Sequence, residues 1–193
     1  MIDEGNAIED EGRIDEALRR YEAAIRLAPN LARAHLNRGN VLQARGDLEE
    51  ALDAYAQALF HDPNYAAAHY NMGNACVRAG RREAALAAYR AAIALKPDFA
   101  DAEVAMGCVL EELGQFDAAA ASYRRALQIR PDYGEVHSNL GNALKGLGQF
   151  ADAVASYRRA LELNPDCVEA HCNLGNALKG LGQFADAVAS YRR

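Results

Sequence analysis

The sequence predicts an all-α protein built from repeated helix pairs, and three observations carry this prediction. The 193 residues include 42 alanines but no threonine, no tryptophan and only 14 valines and isoleucines together. This usage is rich in the best helix former and poor in the β-branched and aromatic residues that sheets prefer. The five prolines recur every 34 residues, and twelve of the fifteen glycines follow the same period. A β-sandwich, a β-barrel and a doubly wound α/β fold are therefore disfavoured.

The period is visible as columns of identical residues. The prolines are Pro29, Pro63, Pro97, Pro131 and Pro165. The first glycine column is Gly5, Gly39, Gly73, Gly107, Gly141 and Gly175, and the second is Gly12, Gly46, Gly80, Gly114, Gly148 and Gly182. A tyrosine column (Tyr21, Tyr55, Tyr89, Tyr123, Tyr157, Tyr191) and an alanine column (Ala17, Ala51, Ala85, Ala119, Ala153, Ala187) have no exceptions. A fixed period of this length indicates a repeat architecture.

Each repeat predicts two antiparallel helices. The residue after each proline is expected to cap the first helix; these residues are Asn30, Asn64, Asp98, Asp132 and Asp166. The second glycine column is expected to end that helix in the left-handed conformation. The first glycine column lies in mid-helix, where glycine costs about 1 kcal/mol relative to alanine. We therefore expect a crossing helix to leave no room for a Cβ there.

These columns resemble the tetratricopeptide repeat (TPR), as the unit with Gly39, Ala51, Tyr55, Ala58 and Pro63 illustrates. The resemblance covers the whole chain. It implies a right-handed α-solenoid, or superhelix, of about six antiparallel helix pairs. We expect one solenoid over residues 1–193. Its repeats are expected at 1–31 (shortened), 32–65, 66–99, 100–133, 134–167 and 168–193 (shortened).

The chain departs from the family where the family often has tryptophan. That column holds His35, His69, Glu103, His137 and His171. Neighbouring helices pack about 8–10 Å apart, whereas zinc–nitrogen bonds are about 2 Å long. We therefore interpret the histidines as packing residues. The sequence predicts no catalytic residue, no metal site and no cofactor, and hence a protein that is not an enzyme.

Charge and cysteine usage restrict the partners and the compartment. With 21 basic and 27 acidic residues, the net charge is −6, which argues against a nucleic-acid partner. No run of about 18 apolar residues is present to span a membrane, so no membrane partner is expected, and the N-terminus lacks a signal peptide's basic start. The four cysteines are scattered and do not resemble a disulfide framework. A cytoplasmic location is the simplest interpretation.

The resemblance implies that the first helix of each pair lines a concave groove. One inward column then holds Asn37, Asn71, Asn139 and Asn173, with Ala105 as a gap. A second column holds Asn6, Asn40, Asn74, Asn142 and Asn176, with Cys108 as its gap. An amide offers donors and an acceptor, so it can pair with a peptide backbone. The alternative is that these asparagines serve solubility or local hydrogen bonding.

Three functional hypotheses follow. The first is a non-catalytic interaction scaffold that binds an extended peptide or partner segment through the eight asparagines at positions 37, 40, 71, 74, 139, 142, 173 and 176. The second is the substrate-presenting arm of a larger glycosyltransferase, because residues 137–144 are similar to the TPR arms of bacterial O-GlcNAc-transferase-like (SPINDLY-type) proteins. A chaperone-tail clamp is disfavoured, because no basic residue stands at Leu36, Tyr70, Val104, Ser138 or Cys172.

The third hypothesis is a homo-oligomer formed by end stacking. Residues 139–159 and 173–193 are identical over 21 positions, and the chain stops inside the second helix of its last pair. Val188 and Tyr191 are then expected on the surface that a following repeat would cover. Head-to-tail stacking of copies through this surface need not close into a ring.

Overall fold

The computed structural model describes residues 2–192, within which the chain forms α-helices and no β-strand. The chain falls into two compact units that divide between Pro97 and Asp98. Unit 1 contains α1 (Ile2–Asp10), α2 (Ile14–Leu27), α3 (Ala32–Arg45), α4 (Leu48–His61), α5 (Ala66–Arg78) and α6 (Arg82–Leu95). Unit 2 contains α7 (Ala100–Glu112), α8 (Phe116–Ile129), α9 (Gly134–Gly146), α10 (Phe150–Leu163), α11 (Val168–Gly180) and α12 (Phe184–Tyr191).

Both units are built from antiparallel helix pairs. In unit 1 the pairs are α1 with α2, α3 with α4 and α5 with α6, and α2 and α4 also pack against the first helix of the following pair. Unit 2 repeats this arrangement with α7 to α12. Within each unit, neighbouring pairs are therefore joined through the second helix of one pair and the first helix of the next, as expected of a repeat protein. The predicted all-α class is confirmed, whereas the single solenoid over 1–193 and its repeat boundaries stay predictions.

Glycines of the second column lie in the turn that joins the helices of each pair. Their φ angles are positive and range from 71° at Gly114 to 97° at Gly46. Among residues 2–192, no residue other than glycine has a positive φ. The prediction that this column supplies the left-handed residue is therefore confirmed, because a side chain would strain the backbone there.

The predicted helix caps are wrong. The first helices begin two residues after the expected capping residue: α5, for example, starts at Ala66 and has Tyr65 as its N-cap. No side chain caps α3, α5, α7, α9 or α11. Asn64 and its equivalents lie one position too early in the chain for their side chains to reach the first free N–H groups of the helix.

The core is a line of alanines and tyrosines between paired helices. Five tyrosines expose 2 % or less of their surface: Tyr21, Tyr55, Tyr89, Tyr123 and Tyr157. Each ring lies over the first-column glycine of its own pair, and a Cβ at Gly39 would stand 2.5 Å from Tyr55 Cε1. The expected lack of room for a Cβ is therefore correct. Its cause is a tyrosine ring of the paired helix, not the backbone of a crossing helix.

Two features bear on the compartment. Cys76, Cys108, Cys167 and Cys172 are all free thiols. Among residues 2–192, no helix has the length and apolar character needed to cross a membrane.

Candidate peptide-binding surface

Both predicted asparagine columns lie on the first helix of each pair. Each of α3, α5, α9 and α11 carries one member of each column, and Asn6 lies on α1. The side chains are half-buried, apart from Asn176, which is exposed. Half-buried amides keep part of their polar surface accessible, so a ligand lying along the first helices of a unit can reach them.

The second column is held by the tyrosines. In every pair except α7 with α8, the tyrosine hydroxyl hydrogen-bonds to the second-column asparagine of its own pair, and the Tyr55 hydroxyl also lies 2.8 Å from Gln43 Oε1. The distances are 2.8 Å for Tyr21–Asn6, 3.0 Å for Tyr55–Asn40, 2.7 Å for Tyr89–Asn74, 2.7 Å for Tyr157–Asn142 and 2.8 Å for Tyr191–Asn176. Except in the last pair, where Tyr191 is exposed, these asparagines therefore satisfy the hydroxyl of a buried tyrosine ring. The constant spacing of 15 residues between the two columns is the sequence signal that indicates this contact.

In unit 1 the two columns are also bonded to each other. Asn71 Nδ2 donates to Asn40 Oδ1 at 2.8 Å, and the Asn37 and Asn6 amides are likewise 2.8 Å apart. We call these two amide pairs the asparagine ladder; each of them links the first helices of two successive helix pairs. Within residues 2–192, Asn71 uses one N–H and leaves its Oδ1 and second N–H free. The ladder is thus both a structural link and a source of unused donors and acceptors.

The ladder is broken in unit 2, where Ala105 and Cys108 take the asparagine positions. Tyr123 donates its hydroxyl hydrogen bond to Glu111 Oε2 at 3.0 Å, and its Oη lies 3.5 Å from Cys108 Sγ. Asn139 has no oxygen acceptor at position 108, and it makes no hydrogen bond to any residue from 2 to 192. In the last pair, Asn173 Oδ1 accepts from Lys145 Nζ at 3.2 Å.

A cavity of about 440 Å³ lies at the break. It is lined by Cys108, Glu111 and Glu112 from α7, Phe116 and Tyr123 from α8, and Asn139 and Asn142 from α9. This volume is in the range of small-ligand and side-chain pockets. From the sequence we expected the two gaps in the asparagine columns, but not the carboxylates of Glu111 and Glu112 beside them. The sequence does contain a signal for Glu111, because the residues at the equivalent position of the other repeats after the first are not acidic. They are Gln43, Val77, Lys145 and Lys179.

The acidic groups at the cavity are perturbed by burial. Burial raises the pKa of the Glu111 carboxyl, an effect that the hydrogen bond from Tyr123 and the charge of Lys145 partly oppose. Desolvation by surrounding protein atoms raises the pKa of the Cys108 thiol, although the residue keeps an exposed surface. The hydrogen bond from Tyr123 opposes this increase, and the carboxylates of Glu111, Glu112 and Glu135 add to it. The thiol is therefore neutral at pH 7 and is a poor nucleophile.

The histidine column has a structural role. Nε2 of each histidine lies 2.7–3.0 Å from the carbonyl oxygen of the proline six residues before it, in the pairs Pro29–His35, Pro63–His69, Pro131–His137 and Pro165–His171. Glu103 replaces the histidine in α7 and is 2 % exposed. It accepts two hydrogen bonds from Arg125, at 2.6 and 2.9 Å. Across residues 2–192, no three His, Cys, Asp or Glu side chains cluster closely enough to hold a metal ion.

Helix α12 carries exposed apolar side chains. Phe184 is 64 % exposed, Val188 46 % and Tyr191 45 %. Their equivalents in α10 are covered: Val154 is 5 % exposed and Tyr157 is fully buried. The two residues predicted as an end-to-end contact therefore lie on an accessible surface together with Phe184.

Comparison with known proteins follows the same repeat. A family model described as TPR repeat matches residues 5–46, 39–80, 73–114, 107–148 and 146–182. No curated protein matches the sequence. The crystal structure of MamA is 28 % identical, covers 85 % of this chain and 90 % of its own, and superimposes with a TM-score of 0.78.

Two further solved structures share the fold at lower identity. YrrB, described as a TPR protein with an unusual peptide-binding site, is 22 % identical over 88 % of this chain and 87 % of its own, with a TM-score of 0.76. PilF of Pseudomonas aeruginosa is 20 % identical over 98 % of this chain and 86 % of its own, with a TM-score of 0.84. The family match extends over most of the sequence, from Gly5 to Gly182. This chain therefore belongs to the tetratricopeptide-repeat family.

Proposed function

We propose that this protein is a non-catalytic interaction scaffold that binds an extended peptide or partner segment along its first helices. The observation that carries the proposal is the regular spacing of half-buried amides with unused donors and acceptors. An extended peptide advances about 3.3 Å per residue, and packed helices stand about 8–10 Å apart. One pair of asparagines is thus available for about every three peptide residues.

Backbone recognition explains why the same residue type recurs. A peptide backbone offers one donor and one acceptor per residue whatever its side chains are. An asparagine amide matches both groups, which a charged side chain cannot do. YrrB supports the proposal only to the extent that a TPR fold of this size is described with a peptide-binding site.

A binding experiment tests the proposal. An array of unstructured 12-residue peptides is probed with the wild-type chain and with the double variant Asn71→Ala/Asn139→Ala. We expect the variant to lose binding to most peptides that the wild type captures. The matched control is Asn30→Ala/Asn64→Ala, in exposed turns, which should bind as the wild type does. Equal capture by both variants, with circular dichroism showing intact helices, would contradict the proposal.

A second candidate function is self-assembly through α12. It is favoured by the three exposed apolar side chains Phe184, Val188 and Tyr191, because large apolar groups on one helix face commonly mark a contact with another protein. Light scattering over a wide concentration range should show the mass of the wild type rising with concentration. The variant Phe184→Ser/Val188→Glu should remain monomeric. A wild type that is monomeric at every concentration would exclude this candidate.

Two finer proposals rest on the sequence. The free state of all four cysteines supports our proposal of a reducing, cytoplasmic compartment. The role of an arm in a larger glycosyltransferase stays a hypothesis that rests on residues 137–144. The encoding gene tests this hypothesis, because an arm of a glycosyltransferase requires a catalytic region encoded in the same gene.

A further inference from the structure

We propose that α12 of one molecule binds α1 of a second copy, in the register that α2 and α3 use within the chain. The inference rests on the second candidate function, self-assembly through α12, and names the surface of the partner copy. Because the two copies contribute different helices, the contact is heterologous and not two-fold symmetric.

The contact between α2 and α3 shows how a first helix covers the second helix before it. Val41 of α3 forms one buried cluster with Ala17 and Tyr21 of α2. Ile14 and Leu18, also on α2, pack against this cluster. The equivalent residues of α12, five repeats later, are Phe184, Ala187, Val188 and Tyr191. Helix α12 therefore presents to a first helix the same kind of apolar surface that α2 presents to α3.

Helix α1 has the small apolar residue that fits such a surface. The residues at the Val41 position of the first helices α3, α5, α7, α9 and α11 are all buried. They are Val41, Ala75, Val109, Ala143 and Ala177. In α1 this position is Ala7, which is exposed. The side chain that a first helix uses to contact the preceding pair is therefore accessible on α1.

Charges are complementary in the same register. Within the chain, Glu22 of α2 lies 3.8 Å from Arg38 of α3. The equivalent residues of the proposed contact are Arg192 of α12 and Glu4 of α1, so the two signs are exchanged and the attraction is kept. The Glu4 carboxylate lies 3.9 Å from Arg20 of its own chain and is 62 % exposed, so it can also face Arg192.

The same register extends the pattern of the asparagine ladder to the second copy. In unit 1, Asn71 Nδ2 donates to Asn40 Oδ1 of the preceding first helix. The equivalent residues across the proposed contact are Asp3 of α1 and Asn176 of α11. Asn176 Oδ1 accepts a hydrogen bond from the tyrosine of its own pair, and its Nδ2 has no partner among residues 2–192. Asp3 pairs with Arg33 and stays 89 % exposed, so its carboxylate can accept from Asn176.

Light scattering with the full chain tests the register. Ala7→Glu places a carboxylate in the proposed contact and changes only an exposed position of the free chain. We expect it to raise the concentration needed for a given average mass about tenfold, because burying an unpaired charge is costly. The matched control is Ala56→Glu, at an exposed alanine of α4, which should assemble as the wild type does. Circular dichroism confirms that each variant is folded.

Charge reversal gives a second, independent readout. Arg192→Glu and Glu4→Arg each place like charges at the contact between identical copies, and each should weaken assembly about threefold at low salt. An equimolar mixture of the two variants restores opposite charges at every contact between unlike copies. The mixture should therefore assemble as the wild type does.

The other outcomes separate the inference from the candidate function. If Phe184→Ser/Val188→Glu abolishes assembly but Ala7→Glu does not, α12 meets a surface other than α1, so the inference fails and self-assembly stands. Equal losses in Ala7→Glu and Ala56→Glu would also exclude α1 as the partner surface. A mixture that assembles no better than the single variants would contradict the register. A wild type that stays monomeric at every concentration would overturn both the inference and the self-assembly candidate.

Discussion

At the scale of single residues, the tyrosine rings pack directly against the mid-helix glycines. A Cβ at Gly141 would stand 2.6 Å from Tyr157 Cε1, and Tyr157 is completely buried. A buried ring has no free space into which it can move. The absence of a side chain at this position is therefore a packing requirement, and it outweighs the helix propensity that alanine would add.

Gly141→Ala should lower the free energy of unfolding by about 1–3 kcal/mol, the usual cost of overpacking a core. The matched control on the same helix is Gly134→Ala, whose Cβ would meet Leu163 at 3.4 Å, an ordinary contact distance. We expect that change to be neutral or stabilising by up to about 1 kcal/mol. Urea denaturation followed by circular dichroism measures both. Equal effects of the two substitutions would show that the tyrosine contact is unimportant.

Glu111 should make stability depend on pH. Because burial raises its pKa, the folded state binds this proton more tightly than the unfolded state. The stabilisation from this group is complete below the ordinary glutamate pKa of 4.5 and is lost as pH rises through the raised value. The titratable groups that interact with it include Tyr123, Tyr157, Cys108 and Lys145.

The variant Glu111→Gln should therefore lose less stability than the wild type between about pH 4.5 and pH 7. Thermal denaturation across this range measures the difference between the two proteins. Parallel curves for the wild type and the variant would contradict the expected raised pKa. An increased slope in the variant would show that the carboxylate is stabilised in the folded state.

The roles of some residues could be predicted from the sequence, and the roles of others could not. The role of the second glycine column could be predicted correctly, whereas for the first column the lack of room for a Cβ was correct but its cause was not. The capping residues were assigned wrongly, since helix boundaries shift by one or two residues without changing the pattern. The tyrosine–asparagine bond was missed because it depends on the distance between two helices, which the spacing of a single column does not report.

At the scale of helix pairs, α7 and α8 differ from the other pairs in how they are joined. The Glu103 carboxylate is buried, and Arg125 is its partner through two hydrogen bonds. One repeat later, Arg159 forms an ion pair with Glu162 in which both side chains are exposed. A buried carboxylate that loses its partner keeps its desolvation cost, whereas an exposed one returns to water.

We therefore expect Arg125→Ala to lower the free energy of unfolding by about 2–3 kcal/mol. Arg159→Ala, at the equivalent position of the next repeat, should change it by no more than about 0.5 kcal/mol. Chemical denaturation of both variants under identical conditions provides the measurement. Equal losses would mean that burial of Glu103 does not strengthen its dependence on Arg125.

Helices α10 and α12 provide a comparison of environment at constant sequence. Residues 150–157 are identical to residues 184–191, yet Tyr157 is buried whereas Tyr191 is 45 % exposed. Exchange protection depends on packing more than on local propensity. Amide hydrogens in α12 should therefore exchange faster than their counterparts in α10, as measured by mass spectrometry or NMR. Equal rates would mean that the sequence alone sets helix stability here.

At the scale of the molecule, the repeat makes stability local. Within each unit, every helix packs against its pair partner, and neighbouring pairs meet through the second helix of one and the first helix of the next. A local defect should therefore affect mainly the adjacent helices. Gly39→Ala, whose Cβ would meet Tyr55 at 2.5 Å, should increase exchange in α2 to α5. Helices α9 to α12 of unit 2 should keep their wild-type rates. Uniform acceleration through both units would show that the chain unfolds as one cooperative body.

The all-α class and the TPR family could be predicted almost entirely from the sequence, because 34-residue columns specify which residues face each other in every pair. The candidate site was predicted less completely. Asparagines at fixed positions indicated a polar surface, but the ladder among them and the cavity near Cys108 depend on contacts between successive pairs. Residues that differ between repeats, such as Glu111, indicate local features of the surface that the repeated columns do not.

The break in the ladder also affects the position at which a peptide can bind along the first helices. Along a row of equivalent amides, an extended chain shifted by about three residues would recover the same hydrogen bonds. Such a row holds a chain without fixing its register. Ala105 and Cys108 interrupt the asparagine columns in unit 2 and remove that equivalence. A peptide bound along the first helices as proposed would therefore dock at one defined position and would not slide along the row.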